Sequence, residues 1–487
     1  MALRFYDTLS RELRDFEPRE PGRVGLYACG PTVYQLPHIG NYRTFLFNDI
    51  LHRWLEWKGF EVRFIMNLTD VDDRIIEKAA AAGVRVRDYT DPFIRGFMEE
   101  LEILGVRAAD EYPRATESIE AMADLVERLL ARGHAYRTDA GIFFDISSFP
   151  AYGRLSRIPL DEVRTGERVA DDRYEKADAR DFALWKAPKP ADEEVGAVWD
   201  GPAVDGARAP GRPGWHLECS AMSMSRLGDT FDIHTGGEDL IFPHHEDEIA
   251  QSEGATGTTF VRYWLHARHL MMDTEKMSKS LGNVVGLRDV LDRGYAPAVV
   301  RFLLVSAHYR KELSFSWDAL DDARAALRRV ADFQDRLSVT PVDPLASRSP
   351  LPAIAARALE AFETALDDDL NTPAALAALF TCVRETNAAL DRAGAVRGED
   401  LATARDALAS IDDVLGVLSL AAATAPPDHE IATWVRERLE ARQQARMDRD
   451  FARADAIREE IAAAGIIVED TPQGPRWKLD DAVSRKL

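Results

Sequence analysis

Lys276 and Lys279 stand three residues apart in "KMSKS", between hydroxyl side chains, with Gly282 and Asn283 close behind. Two ammonium groups at that spacing suit a triphosphate whose charge grows during displacement at its α-phosphorus. An ordinary solvated loop carries the same residues. Far upstream, "PHIGN" places His38, Gly40 and Asn41 between an apolar run, "VGLYACG", and a helical pattern. Pro37 and Gly40 punctuate a turn that Asn41 would cap. The same two side chains, His38 and Asn41, are also hydrogen-bond donors at a helix N-terminus, where a phosphate is favoured.

A third set is dispersed. Cys29 and Cys219 are 190 residues apart, so no finger-type spacing links them. His244 and Glu248 in "FPHHEDEIAQ" are an i, i+4 pair and share one face if the segment is helical. The same step from His245 meets Ile249, which makes His244 the better ligand candidate. Each cysteine alone reads equally as a small buried hydrophobe. Two thiols, an imidazole and a carboxylate together are a zinc-type donor set.

The chain that must position these groups has 487 residues, too many for one ordinary core, so two to four domains are expected. Its hydrophobic content of 46% supports buried cores, and no apolar run approaches the roughly 20 residues of a membrane span. "MALRFYDTLSRELRDFEPREPG" lacks the apolar core of a signal peptide, and three cysteines make a disulfide framework unexpected. A cytoplasmic protein is expected from these features. A net charge of −22 argues against indiscriminate nucleic-acid binding and against acidic membrane surfaces, though a local basic face can still hold a nucleic acid.

Val24 to Gly30 reads as a buried strand, Asn41 to Trp57 as a helix with apolar residues near helical spacing, and "FEVRFIMNLTD" as a second strand. Strand, glycine turn, helix, strand is the first unit of a parallel α/β sheet, whose ligands sit beyond the strands' carboxyl ends. Residues 74–135 look mostly helical. Residues 186–215, rich in Pro, Gly and acid, read as an exposed loop between lobes, and a second α/β portion spans about 215–272. From about 318 the chain is Ala-rich and helical. "NTPAALAALFTCV" starts a helix capped by Asn371 or Thr372, with Pro373 in its first turn. "AAATAPPDHE", 421–430, reads as a linker. An Arg-rich helix follows, and "GIIVEDTPQGPRWKL" reads as strand, turn and strand. No internal repeat is visible.

The His-Ile-Gly turn after the first strand, paired with the lysine loop after the last, resembles the hallmarks of class I aminoacyl-tRNA synthetases. One departure is Asn41, where that motif commonly ends in a second His; its amide donates a hydrogen bond but cannot be charged. "GWHLECSAMS", "DIHTGGEDLIFPHHEDEIAQSE", "TDVDDRIIEKA" and "EDTPQGPRW" resemble the bacterial cysteinyl-tRNA synthetase family, and the likeness runs over nearly the whole chain. The resemblance implies an α/β protein: a Rossmann-type catalytic domain over 1–317 with a subdomain inserted at about 110–213 and the KMSKS loop at 276–280. A helical bundle over 318–425 and an anticodon-binding domain of mixed α/β type over 428–487 complete it.

It also implies that L-cysteine and ATP-Mg²⁺ give cysteinyl-adenylate, and that the cysteinyl group passes to the 3′-terminal adenosine of cysteine tRNA. Zn²⁺ on Cys29, Cys219, His244 and Glu248 would face the substrate side chain. His38, Asn41, Lys276 and Lys279 would be catalytic and, with Gly40, Gly237 and Asp239, would hold ATP. Thr69, Trp215 and His216 would line the amino-acid pocket, although Thr69 reads equally as a helix cap with Asp72 three residues on, and Trp215 and His216 also read as core residues. His234 reads as structural or as support to the ligands. Thr235 stands where the family usually has glycine, which bears on local turn geometry. Arg438, Arg442, Arg446 and Arg449 recur at steps of four, four and three on one helical face; that stripe is either a solvated helix or, with Arg476 and Trp477, a tRNA contact. A monomer without membrane association is expected.

The physical case for zinc is selectivity. Cysteine and serine differ by one atom, and shape alone separates near-isosteres by only about 10–200-fold. A thiolate is a strong, soft zinc ligand and an alcohol is not. A cysteine:aminosugar ligase of thiol-cofactor biosynthesis shares the catalytic half and the zinc site, but lacks a domain corresponding to 428–487. A non-catalytic tRNA- or zinc-binding relative need not keep both "HIGN" and "KMSKS".

Overall fold

Two short strands, β1 (Arg4–Asp7) and β2 (Glu12–Asp15), pair antiparallel ahead of the first apolar run. That run forms β3 (Arg23–Ala28), and Val24, Leu26, Tyr27 and Ala28 are buried in it. It is followed by α1 (Ile39–Trp57) and β4 (Glu61–Met66). The structure is a computed structural model, and it describes all residues except 1, 159–180, 205, 273–274, 277–283, 425–427, 449, 465, 472–473 and 480–487. The helix begins two residues earlier than its apolar periodicity suggests. His38, with extended φ/ψ, is the N-cap, and Asn41 sits in the first turn, its Oδ1 accepting from the His38 N–H at 3.1 Å.

The helices α2 (Asp73–Ala82), α3 (Val86–Ile103) and α4 (Ile119–Ala131) supply the helical stretch expected after residue 74. Asp72, not Thr69, caps α2, accepting from the Ile75 N–H at 2.6 Å. The expectation of an exposed loop over 186–215 is wrong. The strands β5 (Ala135–Thr138), β6 (Gly141–Phe144), β7 (Phe182–Lys186), β8 (Trp199–Val204) and β9 (Ala207–Pro213) form an antiparallel sheet of order β5-β6-β7-β9-β8, with α5 (Pro190–Glu194) between β7 and β8.

The glycines that read as punctuation are there to pass the Trp185 ring. A Cβ at Gly201 would fall 2.2 Å from that ring, and one at Gly211 would fall 2.2 Å from the Lys186 carbonyl oxygen. The charges that read as solvated are paired: Arg212 Nε lies 3.0 Å from Asp192 Oδ2, and Lys186 Nζ lies 2.8 Å from Asp73 Oδ2. Lys186 and Arg212 both pair with Asp73, which clamps the inserted sheet to the start of α2.

The second α/β portion comprises α6 (Trp215–Leu227), β10 (Phe231–Gly237), α7 (Glu246–Thr256) and β11 (Val261–Ala267). It completes a four-stranded parallel sheet of order β11-β10-β3-β4. Beyond it, β12 (Leu270–Met272) pairs antiparallel with β13 (Glu275–Lys276). The helices α8 (Leu287–Asp292) and α9 (Pro297–Val305) then lead to β14 (Leu313–Phe315), which pairs parallel with β12.

A bundle follows: α10 (Trp317–Val339), α11 (Leu351–Asp367), α12 (Thr372–Ala393), α13 (Gly398–Leu415) and α14 (Leu418–Thr424). Asn371 is the N-cap of α12, accepting from the Ala374 N–H at 3.2 Å, with Pro373 in the first turn. Fully buried Arg301 of α9 ties this bundle to the α/β core, since Nη2 pairs with Asp49 of α1 at 2.5 Å while Nε donates to the Leu415 carbonyl at 2.7 Å. Both ends of the linker expected over 421–430 are helical, since α14 runs to Thr424 and α15 (Asp428–Met447) follows; 425–427 lie outside the described residues.

The terminal unit adds α16 (Phe451–Ala463) and the antiparallel pair β15 (Ile466–Thr471) and β16 (Gly474–Leu479). It has its own small core of Val435, Leu439, Ile457, Ile461 and Ile466. Among the described residues, no helix is long and apolar enough to cross a membrane.

Candidate active site and metal centre

The parallel sheet ends in a cavity of about 320 Å³ beyond the carboxyl ends of β3, β4 and β10. Its walls approach closely: a Cβ at Gly30 would lie 1.8 Å from the Asn67 carbonyl oxygen, so only glycine lets the segments after β3 and β4 cross there. Cys29 follows β3, and its N–H donates to the Thr235 carbonyl of β10 at 3.1 Å. Thr235 is therefore an ordinary buried strand residue, paired with Ala28 and Leu265, rather than part of a turn.

At one end of the cavity Cys29, Cys219, His244 and Glu248, all buried, place their donor atoms within 4.8 Å of one another. The two sulfurs are 3.7 Å apart, His244 Nε2 is 3.1 Å from Glu248 Oε1, and Cys29 Sγ is 3.8 Å from the same oxygen. These separations suit the edges of a tetrahedron with metal bonds of about 2.0–2.3 Å, and the donor types are those of zinc.

A second set shares two of the donors: Cys29, His234, His245 and Glu248. His245, set aside on spacing, lies with Nε2 3.3 Å from Cys29 Sγ. The tight turn Ile241–His245 ahead of α7 delivers both neighbouring imidazoles to the centre, which an i, i+4 rule does not anticipate. His234 Nε2 meets Glu248 Oε2 at 2.9 Å, in the supporting place expected of it. Behind them, His245 Nδ1 is 2.7 Å from His266 Nε2, and His266 Nδ1 is 2.8 Å from the Thr8 hydroxyl. Nothing local in the sequence marks His266.

Burial dominates the electrostatics. It pushes His244 and His266 down to about 3 and His245 well down, so all three imidazoles are neutral at pH 7. Burial also pushes the Cys29 and Cys219 thiols up, with the Glu248 carboxylate adding to it. Neutral imidazoles are ready ligands, whereas buried thiols ionise only beside a compensating cation.

Trp215 is 37% exposed at the rim and stacks on His244, with ring centroids 4.5 Å apart. His216 does not line the cavity. It stands behind His244 with their Nδ1 atoms 3.0 Å apart, and its Nε2 lies 3.5 Å from Asp247 Oδ2. Such a contact orients the ring of a ligand rather than a substrate. Thr69 is buried on the wall, accepting from Asn67 Nδ2 at 3.1 Å.

His38, Gly40, Asn41, Gly237 and Asp239 line the rest of the cavity, together with Arg74, Arg268 and His269, which motif reading did not single out. Because Asn41 Oδ1 is engaged by the backbone, its amide Nδ2 is the group left to donate. Lys276 is a ladder position in β13 opposite Met271, and Lys279 lies outside the described residues.

The arginine stripe divides. Arg438 pairs with Glu460 at 2.9 Å and covers the Trp434 ring at 5.2 Å, Arg442 is only 7% exposed, and Arg446 is exposed. A uniform solvent-facing stripe is therefore not what α15 presents. Arg449 lies outside the described residues; Arg476 and Trp477 are ladder positions opposite Glu469 and Val468.

The match of a family model to the portion that holds this sheet and cavity places the chain among the class I aminoacyl-tRNA synthetases. Residues 15–325 match the family described as tRNA synthetases class I (C) catalytic domain, 361–419 match the DALR domain, and 435–477 match the cysteinyl-tRNA ligase anticodon binding domain. The fold is similar to that of Mycobacterium tuberculosis methionyl-tRNA synthetase in complex with methionyl-adenylate: TM-score 0.56, 17% identity, 81% of this chain and 90% of that one. It is also similar to the LeuRS–tRNA–LeuAMS complex of Agrobacterium radiobacter: TM-score 0.60, 12% identity, 84% and 86% covered.

The chain belongs to the cysteine–tRNA ligase family. It is 46% identical to the cysteine–tRNA ligase of Solibacter usitatus over 98% of this chain and all of that one. It is 45% identical, with the same coverage of both chains, to that of Symbiobacterium thermophilum.

Proposed function

We propose that the protein activates L-cysteine with ATP-Mg²⁺ to cysteinyl-adenylate and transfers the cysteinyl group to the terminal adenosine of cysteine tRNA with release of AMP, acting as a cytoplasmic monomer. One observation carries the reading: Cys29, Cys219 and His244, three members of the donor cluster completed by Glu248, line the same cavity as the His38–Asn41 turn. A thiol donor set at one end and a helix N-terminus at the other suit a thiol amino acid and a nucleotide laid end to end.

The donor set fits zinc, with Cys29, Cys219, His244 and Glu248 holding it and the His245 set as its neighbour. When bound, zinc supplies a soft Lewis acid that prefers a thiolate to an alcohol. Thr69 and Trp215 hold the amino acid, and His216 orients the His244 ring. Gly237 and Asp239 receive the nucleoside. The substrate carboxylate attacks the α-phosphorus as pyrophosphate leaves. His38 and the Asn41 amide donate to the phosphates, and Lys276 and Lys279 neutralise charge that grows on the leaving group. No general base is required for this step, which positioning and charge stabilisation drive.

The aminosugar-ligase alternative is disfavoured by the terminal unit from α15 to β16 and its match to an anticodon-binding domain. ATP–pyrophosphate exchange with cysteine, serine and an aminosugar, each with and without tRNA, tests the reading. Exchange with cysteine and esterification of tRNA are expected; transfer to the aminosugar instead would overturn it.

A further inference from the structure

Arg43 lies on α1, five residues after His38, and is 2% exposed. Its guanidinium meets four backbone carbonyls: Nη1 donates to Arg268 at 2.9 Å and His269 at 2.7 Å, and Nη2 donates to His308 at 3.1 Å and to Lys311. Burial pushes its pKa down to about 10, against the opposing pull of Glu238 and Glu312, so it remains charged at neutral pH. A buried cation bonded to four carbonyls is an unusual device for filling a core. Its fork spans two separate segments, which the point charge of a lysine cannot do.

Those segments have a shared destination. Arg268 and His269 immediately precede β12, and Lys311 lies two residues before β14, the parallel partner of β12. From β12 the chain passes through Lys276 in β13. It returns to α1 at Val285, whose carbonyl accepts from the Ile39 N–H at 2.9 Å, while Gly286 bridges to His38. One helix therefore holds the strand that leads into the lysine motif and the residues that leave it, and the same helix carries His38 and Asn41.

We propose that Arg43 is a positioning residue: it sets the β12–β14 ledge against the first turn of α1, so that the two phosphate-binding motifs meet one nucleotide in register. The proposal rests on the adenylation reading above. A change of about 1 Å in such a register costs on the order of 10²-fold in rate.

The test uses full-length Arg43→Lys and Arg43→Ala proteins. Single-turnover adenylation, equilibrium cysteine binding, thermal unfolding and amide hydrogen exchange are each measured. Arg43→Lys is expected to lower the adenylation rate constant by about 10²-fold with cysteine affinity nearly unchanged. Exchange should accelerate in peptides covering 268–272 and 313–315 but not in those covering β3, β4 and β10. Added methylguanidinium should restore part of the Arg43→Ala rate, a readout that a merely structural role would not give.

A folded Arg43→Lys protein with the wild-type rate overturns the proposal. So does a loss of rate that only tracks global stability in both variants without rescue. Failure of the wild-type protein to activate cysteine would instead overturn the adenylation reading, and the exchange measurement would still test where Arg43 holds the ledge.

Discussion

Cys29 Sγ lies 3.7 Å from Cys219 Sγ although 190 residues separate them. The first leaves the carboxyl end of β3, and the second sits in α6, where the chain re-enters the catalytic core from the inserted sheet. Pairs of thiols at this distance, buried beside an imidazole and a carboxylate, are held apart by their protons or together by a metal.

One zinc per chain is expected on Cys29, Cys219, His244 and Glu248, to be counted by elemental analysis of the purified protein. Cys29→Ser should weaken cysteine binding far more than ATP binding, because the lost donor serves the thiolate end of the cavity. Stoichiometric metal retained in a variant lacking both cysteines would refute the assignment.

Lys279→Ala should slow adenylate formation by about 10²–10³-fold, the size of losing one donor to a charge that develops only in the transition state. Cysteine binding should be nearly intact. Single-turnover kinetics at saturating ATP separate the two quantities, and an unchanged rate constant would remove Lys279 from the chemistry.

Truncation after Pro427 should leave cysteine activation largely intact while sharply reducing charging of tRNA. The terminal unit has its own core, from Val435 to Ile466, so its removal spares the upstream packing. The cut removes Arg446 and the Arg476 and Trp477 positions; if these contact tRNA, the loss is about 1–3 kcal/mol per stacked base, and lost phosphate contacts add to it. The defect should appear as a raised KM for tRNA, and binding by the intact protein should weaken as salt rises. An unchanged kcat/KM for tRNA in the truncated protein would reopen the ligase alternative.

Acid should destabilise the catalytic core partly through His266. Burial, then the neighbouring His234, holds its pKa near 3 in the folded protein against about 6.5 when unfolded. Below about pH 6.5 the unfolded chain takes up a proton that the folded one refuses, so stability falls as pH falls toward 3. At pH 5 this amounts to about 2 kcal/mol. Urea unfolding of His266→Gln and the parent, both metal-free, at pH 7 and pH 5 should show a smaller pH loss in the variant. Equal losses would mean that the ring is protonated in the folded state.

Much of the catalytic half is legible in the sequence because its signals are local. The β3–α1–β4 unit follows from apolar periodicity and one glycine turn, and Asn371 announces α12 by a cap that touches a residue three positions away. The donor types at Cys29, Cys219, His244 and Glu248, and the donors at His38 and Asn41, are chemical facts of the chain before it folds.

Other features depend on partners far away in sequence, and only the tertiary structure decided them. Gly201 and Gly211 look like loop residues until Trp185 lies across them, and Lys186 and Arg212 look solvated until Asp73 and Asp192 meet them. His245 joins a second candidate donor set because the turn at 241–245 departs from simple helical spacing, whereas His216 is withdrawn behind His244. Arg442 lies buried within a stripe whose spacing alone would place it beside exposed Arg446. Periodicity fixes which residues share a face, but burial and charge pairing are set by what packs against that face, and that contact exists only in the folded chain.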